Sequence, residues 1–213
     1  MEEAVAGVVL AAGRSERFGE LKQFVTIDGT RLVDRAVRLV SVICRAVTLV
    51  LPDGIAWTGP TVDAVVTGGS TRVESLRNAI RVLPNDTDIV VVHDAVRPLA
   101  TIEVLELAVA AIRNGADAAV PIWVPNDVIK HVRGDGTLEH VGREGFAVAQ
   151  SPSAYRYSTL FRALASLTKP VPAEESEAVE RAGGRVVGVR GDRWSQHLVE
   201  PRDLQLLARL MAP

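Results

Sequence analysis

Residues 89–92 read Ile-Val-Val-Val, four β-branched side chains in a row. Successive side chains of a strand point to opposite faces, so a strand that is apolar at every position has to be covered on both sides. Parallel sheets layered between helices meet that requirement. Residues 4–10 (Ala-Val-Ala-Gly-Val-Val-Leu) form a second run of the same kind. Around these two runs strand and helix signals alternate. Residues 32–42 have helical spacing through Leu32, Ala36, Leu39 and Val40, and residues 46–51 form a strand closed by Pro52-Asp53-Gly54. Residues 62–66 are short and apolar, and residues 73–83 place Leu76, Ile80 and Leu83 on one helical stripe. A helix over 102–114 is terminated by Gly115. A strand at 118–123, helices at 158–167 and 175–182, a strand at 186–189 and a closing helix at 201–210 complete the pattern. The rhythm predicts an α/β fold with a mainly parallel sheet and helices on both faces, in one domain spanning residues 1–213.

Residues 124–147 break the rhythm. Two short strand-like pieces, 127–132 and 138–141, flank Arg133-Gly134-Asp135-Gly136, a hairpin turn signal. The stretch is too poor in apolar residues to be a domain. It reads either as a β-hairpin arm that leaves the body and packs on a second subunit, or as a solvated hairpin.

Composition bounds the function. Apolar residues make up 47% and charged residues 23% of the chain, an ordinary globular balance. A net charge of −2 without a basic block argues against nucleic acid as a partner. One cysteine, Cys44, excludes an internal disulfide and a thiolate metal cluster. No apolar run approaches the about 18 residues needed to span a bilayer, and the acidic start Met1-Glu2-Glu3 is unlike a signal peptide. The expectation is a cytoplasmic protein with no membrane partner.

Ligands of open parallel sheets collect beyond the carboxyl ends of the strands, and three segments there are chemically loaded. After the first strand come Ala11, Ala12 and Gly13, followed by Arg17 and Lys22. Small side chains let backbone N–H groups approach an anion, and the two cations can neutralise a polyphosphate. A tight βα turn is the plainer alternative, because neither common phosphate-loop glycine spacing is present. The second segment is Gly68-Gly69-Ser70, with Arg72 and Ser75 in the helix that follows; it suits either a base or ribose contact or a simple helix cap. The third is His93-Asp94-Ala95-Val96-Arg97-Pro98, directly after the buried strand. Asp94 could meet a metal or sugar hydroxyls and Arg97 a phosphate, or the two could pair with each other. His93 reads as a packed strand-end residue.

Together these segments resemble the 2-C-methyl-D-erythritol 4-phosphate cytidylyltransferase family, CTP-using enzymes of the non-mevalonate isoprenoid pathway. Its most specific element here is Val91-Val92-His93-Asp94-Ala95-Val96-Arg97-Pro98, beside the family's V-H-D-A-A-R-P. Val120-Pro121-Ile122, Asp127-Val128-Ile129-Lys130 and Gln150-Ser151-Pro152 extend the likeness along nearly the whole chain. The resemblance implies a Rossmann-like nucleotidyltransferase fold, with residues 124–147 as the arm of a homodimer. It implies that Arg17, Lys22 and His197 are catalytic, and that Ala11, Ala12, Gly13, Gly68, Gly69 and Ser75 bind the nucleotide. Asp94, Ala95, Arg97, Asp127, Arg143 and Glu174 would bind the acceptor, a sugar-alcohol phosphate, with Asp94 also available to a metal. Mg²⁺ is expected, bound mainly through nucleotide phosphates.

Three departures fall at positions that, by the resemblance, concern the acceptor phosphate or the reacting α-phosphate. Val128 stands where the family has threonine, Ala173 replaces the threonine of T-D-E-A-S, and His197 replaces a lysine. The first two lose a hydroxyl and the third loses a permanent charge at neutral pH. Two alternatives follow: transfer to another polyol phosphate, or a catalytically weak nucleotide-binding paralogue.

Overall fold

The computed structural model describes residues 3–13, 18–167 and 171–211. In chain order its elements are β1 (Val5–Leu10), β2 (Thr26–Ile27), β3 (Thr30–Arg31), α1 (Leu32–Ser41), β4 (Ala46–Leu51), β5 (Ala64–Thr67) and α2 (Arg72–Ile80). There follow β6 (Ile89–Asp94), α3 (Ile102–Arg113), β7 (Ala118–Trp123), β8 (Ile129–Val132), β9 (Leu138–Val141), β10 (Val148–Ala149) and β11 (Ser153–Arg156). The chain closes with α4 (Tyr157–Ala165), α5 (Glu175–Arg181), β12 (Val186–Arg190) and α6 (Asp203–Met211).

The central sheet runs β5-β4-β1-β6-β11-β7, with β12 parallel to β7 on its far side. β1 pairs in parallel with both β4 and β6. The expected α/β architecture is therefore present, with one addition that local periodicity does not show. β10 and β11 form a broken strand inserted between β6 and β7, antiparallel to both neighbours where they pair. Its residues mix Gln, Ser and Pro with Ala and Tyr, so no apolar alternation marks it. The Ser151–Pro152 peptide at the break is cis.

Two cores follow from the two-residue period of the strands. Val5 and Val9 of β1 and Ile89 and Val91 of β6 face α1 and α3, against Val33, Val37, Leu105 and Ile112. Ala6, Val8, Val90 and Val92 face the other way, toward Leu76 of α2, Leu160 of α4 and Val179 of α5. Every residue of β6 is buried, as its β-branched run requires. Gly115, at φ 94°, ends α3 by donating to the Ile112 carbonyl.

β8 and β9 form their own two-stranded hairpin, apart from the main sheet. Most of it is solvent-exposed, including Val132 and Leu138, as is Val128 just before it. No helix among the described residues is long and apolar enough to cross a membrane.

Candidate active site

Asp94 is the last residue of β6 and has the same parity as Val90 and Val92, so its side chain lies on the α2 and α5 side of the sheet. The first residues of those two helices, Arg72 and Glu175, meet it there. Arg72 Nε and Nη2 donate to Glu175 Oε2 and Oε1, each at 2.9 Å, and Nη1 donates to Asp94 Oδ1. Glu175 is buried, its side chain only 1% exposed. Burial opposes the charge on Arg72, but Glu175 and Asp94 outweigh it and raise the guanidinium pKa well above its ordinary value. Burial likewise opposes ionisation of Asp94, and Arg72, with Arg97 and His197 behind it, wins and holds the carboxyl at about 2.

Arg97 stands on the other side of Asp94, its Nε 3.6 Å from Oδ2. Its Nη1 donates to the Ser195 carbonyl at 2.7 Å. Gln150 holds the same turn, donating to the carbonyls of Asp192 (2.6 Å) and Ser195 (3.3 Å) and accepting from the Asp192 N–H (3.0 Å). Lys22 Nζ donates to the Leu198 carbonyl at 2.6 Å, and Leu198 N–H donates to the Val96 carbonyl at 2.9 Å. The segment carrying His197 is thus pinned from the first loop, from β6's exit and from β10. Partial desolvation lowers the His197 pKa first; Asp94 opposes the shift, and Lys22, Arg97 and Arg72 reinforce it, to about 4. His197 is neutral at pH 7 in the free protein.

The opposite wall is backbone. Gln23, buried at the start of the stretch after the first loop, donates to the carbonyls of Ala11 (2.8 Å) and Gly13 (3.1 Å). A Cβ on Gly68 would lie 2.3 Å from the Ala12 Cβ, so the loops after β1 and β5 approach to a distance that only glycine permits. The Gly69 N–H donates to Ser75 Oγ at 3.0 Å, and the Thr71 side chain caps α2 by accepting from Glu74 N–H at 3.1 Å.

The structure brings Lys22, His197, Asp94, Arg97 and Glu174 into one neighbourhood, next to Ala12, Gly13, Gly68, Gly69 and Ser75. Glu174 is half-buried and accepts from Ser176 Oγ; burial raises its pKa, with Glu175 adding to the shift. Arg17 lies outside the described residues. Three expectations need correcting. Ala95 is packed in the core with its N–H on the Leu10 carbonyl, so its methyl group does not line the crevice. Ala11 is buried too, its N–H on the Val50 carbonyl and its own carbonyl taken by Gln23. Asp94 does not fit a metal-ligand role, because Arg72 and Arg97 flank its two oxygens. Among the described residues no group of three His, Cys, Asp or Glu could hold a metal ion.

Asp127 and Arg143 sit on the exposed arm, where Arg143 Nη1 donates to the Asn126 carbonyl at 3.0 Å. Sequence reasoning assigned no site role to Glu175, Gln23 or Gln150, and it left Arg72 as a helix-start residue. Arg72 and Glu175 open helices and Gln150 follows β10, but Glu175 stands in a run of acidic and polar residues, so nothing local marks it as buried. His93 is packed as expected, 1% exposed, with Nδ1 3.1 Å from Ser151 Oγ.

A backbone-lined cleft facing fixed cations at the carboxyl ends of a mainly parallel sheet is the arrangement of a nucleotidyltransferase. Solved structures with this fold include 2-C-methyl-D-erythritol 4-phosphate cytidylyltransferase from Thermus thermophilus (TM-score 0.82, 23% identity, 95% of this chain and 96% of that one). Another is 4-diphosphocytidyl-2C-methyl-D-erythritol synthase from Anaerococcus prevotii (TM-score 0.83, 18% identity, 98% of each chain). The chain belongs to the 2-C-methyl-D-erythritol 4-phosphate cytidylyltransferase (IspD) family, whose model matches residues 5–212. Among its relatives, the Streptomyces avermitilis protein of that name is 34% identical, over 97% of this chain and 91% of its own length. The Aquifex aeolicus protein is 33% identical, over 96% of each.

Proposed function

We propose that the protein transfers the cytidylyl group of CTP to 2-C-methyl-D-erythritol 4-phosphate, giving 4-diphosphocytidyl-2-C-methyl-D-erythritol and pyrophosphate for isoprenoid biosynthesis. The observation that carries this reading is the convergence of Lys22, Arg97 and Asp94 on the segment bearing His197, beside the Ala12–Gly68 cleft. The acceptor's phosphate oxygen attacks the α-phosphorus of CTP; a new P–O bond forms as the bond to the pyrophosphate oxygen breaks. The displacement needs no covalent enzyme intermediate, so the protein supplies alignment and charge neutralisation. Lys22, with Arg17, neutralises charge on the α-phosphate and the leaving pyrophosphate. The backbone of Ala12, Gly13, Gly68 and Gly69, with Ser75, holds the nucleoside. Arg97, Asp94 and Glu174 face the acceptor. Mg²⁺ would be held mainly by phosphate oxygens of the nucleotide rather than by a protein cage, and would neutralise their charge.

The arm's exposed apolar residues Val128, Val132, Leu138 and Phe146 support docking on a second copy. In such a homodimer the partner subunit's Arg143 and the partner subunit's Asp127 complete the acceptor side. Sedimentation of the wild-type chain against a Val132→Asp/Leu138→Asp variant tests the dimer: wild type sediments as a dimer and the variant as a monomer.

The activity is tested by pyrophosphate release from CTP, Mg²⁺ and 2-C-methyl-D-erythritol 4-phosphate. Release with that acceptor supports the proposal. The neutral His197, together with Val128 and Ala173, favours one second reading, a changed acceptor; release only with other polyol phosphates would establish it. Nucleotide binding without turnover would mark a weak paralogue.

A further inference from the structure

Arg72 sits where helix physics disfavours it. It is the first residue of α2, and a cation at a helix N-terminus opposes the helix dipole. The pair it makes with Glu175 is also a poor device for stability alone, since buried ion pairs are often no better than well-packed apolar residues of similar volume. Its geometry is nevertheless specific. The guanidinium fork engages both Glu175 oxygens at 2.9 Å, which aligns the remaining nitrogen on Asp94 Oδ1. Three elements that are distant in sequence meet at this one side chain: α2, the end of β6 and the start of α5.

We infer that Arg72 and Glu175 form a positioning pair for the acceptor: Glu175 orients the guanidinium, and the guanidinium fixes Asp94 Oδ1, so that the carboxylate meets the acceptor in one orientation. This deepens the proposed function and rests on Asp94 facing the acceptor. The pair touches no reacting atom; it acts through Asp94. Arg97 cannot replace it, because its Nε stands 3.6 Å from Oδ2 while Nη1 is committed to the Ser195 carbonyl.

The test compares Arg72→Lys, Glu175→Gln and the apolar double variant Arg72→Met/Glu175→Leu. Lysine keeps a charge but lacks the fork. Glutamine keeps the shape of Glu175 and removes its charge. Positioning predicts that each single variant raises the KM for the acceptor by about a hundredfold, while the CTP dissociation constant measured by calorimetry barely changes. The double variant leaves no orphaned charge from the pair, so it regains thermal stability relative to the single variants, yet its acceptor KM stays high. Recovery of KM together with stability would reduce the pair to a structural role. Loss of CTP affinity in step with acceptor affinity would show that Arg72 touches the nucleotide, and would overturn the inference.

Carbon-13 NMR of the Asp94 carboxyl supplies a readout independent of turnover. Wild-type Asp94 stays ionised to the acid limit of the folded state, whereas in Arg72→Lys it titrates at higher pH; an unmoved titration overturns the inference. Wild-type protein inactive on CTP and the acceptor would overturn the proposed function, and the Asp94 titration would still decide the pair.

Discussion

Lys22 Nζ donates to the carbonyl of Leu198 at 2.6 Å across 176 residues of sequence, tying the loop after β1 to the segment that carries His197. Under the proposed function this cation serves the polyphosphate, and the bond holds it in place before any ligand arrives, so little reorganisation is left for the reaction. Lys22→Gln is expected to lower kcat by on the order of a hundredfold or more. It should also loosen residues 195–199, so adding His197→Lys does not restore the rate. Pyrophosphate-release kinetics on the single and double variants check this.

His197 is held neutral at pH 7 by partial desolvation and by the positive charge of Lys22, Arg97 and Arg72. His197→Lys introduces a permanent charge at that position and is expected to raise kcat by on the order of tenfold at pH 8. The advantage should shrink as pH falls toward the histidine's own range, where wild type gains its proton. Parallel pH–rate profiles measure it. An unchanged rate at every pH would place His197 outside the reacting centre.

His93 gives the fold an acid-sensitive component. Burial, with Arg97 and Arg72 adding and Asp94 opposing, lowers its pKa to about 4 from the ordinary 6.5. Between those values the unfolded chain binds the proton and the folded chain does not, so stability falls as pH falls through that window and is fully present above it. The loss comes to about 3 kcal/mol over the whole window. His93→Asn should flatten the stability curve from pH 6.5 down to 4 in urea melts. Asp94 acts below this range: its depressed carboxyl adds stability above its ordinary value of 3.8, lost as pH falls toward about 2.

Gly68 and Ala12 bring the loops after β1 and β5 together, with a hypothetical Cβ on Gly68 only 2.3 Å from the Ala12 Cβ, in the wall proposed to hold the nucleotide. Gly68→Ala is expected to cost about 1 to 3 kcal/mol of stability and to weaken CTP binding as the two loops part. Ala12→Gly in the same chain removes the obstructing methyl and should recover most of the affinity. Calorimetric titration with CTP, alongside thermal melts, separates the two effects.

The helices and parallel strands were legible because their signals are local. Residues 46–51 and 118–123 coincide with β4 and β7, and the helix over 102–114 differs from α3 by one residue. The hairpin at 129–141 was readable from its turn residues. β10 and β11 escaped notice because Val148–Arg156 carries a Gln-Ser-Pro-Ser centre, and the partners of β11 lie 35 to 67 residues away in sequence. Of the candidate site, Lys22 stood out as a cation after the first loop and Asp94 and Arg97 as charges just past a buried strand, while Ala95, assigned to the acceptor by the resemblance, is core.

The amino-acid sequence by itself determined which segments form strands and helices, and which loops gather at the carboxyl ends of the sheet, since side-chain periodicity and turn chemistry act over a few residues. Only the tertiary structure decided how the charges are shared. Arg72 meets Glu175 across 103 residues, and Asp94 lies between two guanidiniums rather than open to a metal. No spacing rule encodes such partners, because they are set by which face of β6 the last residue of the strand occupies and by where two helix N-termini come to rest above it.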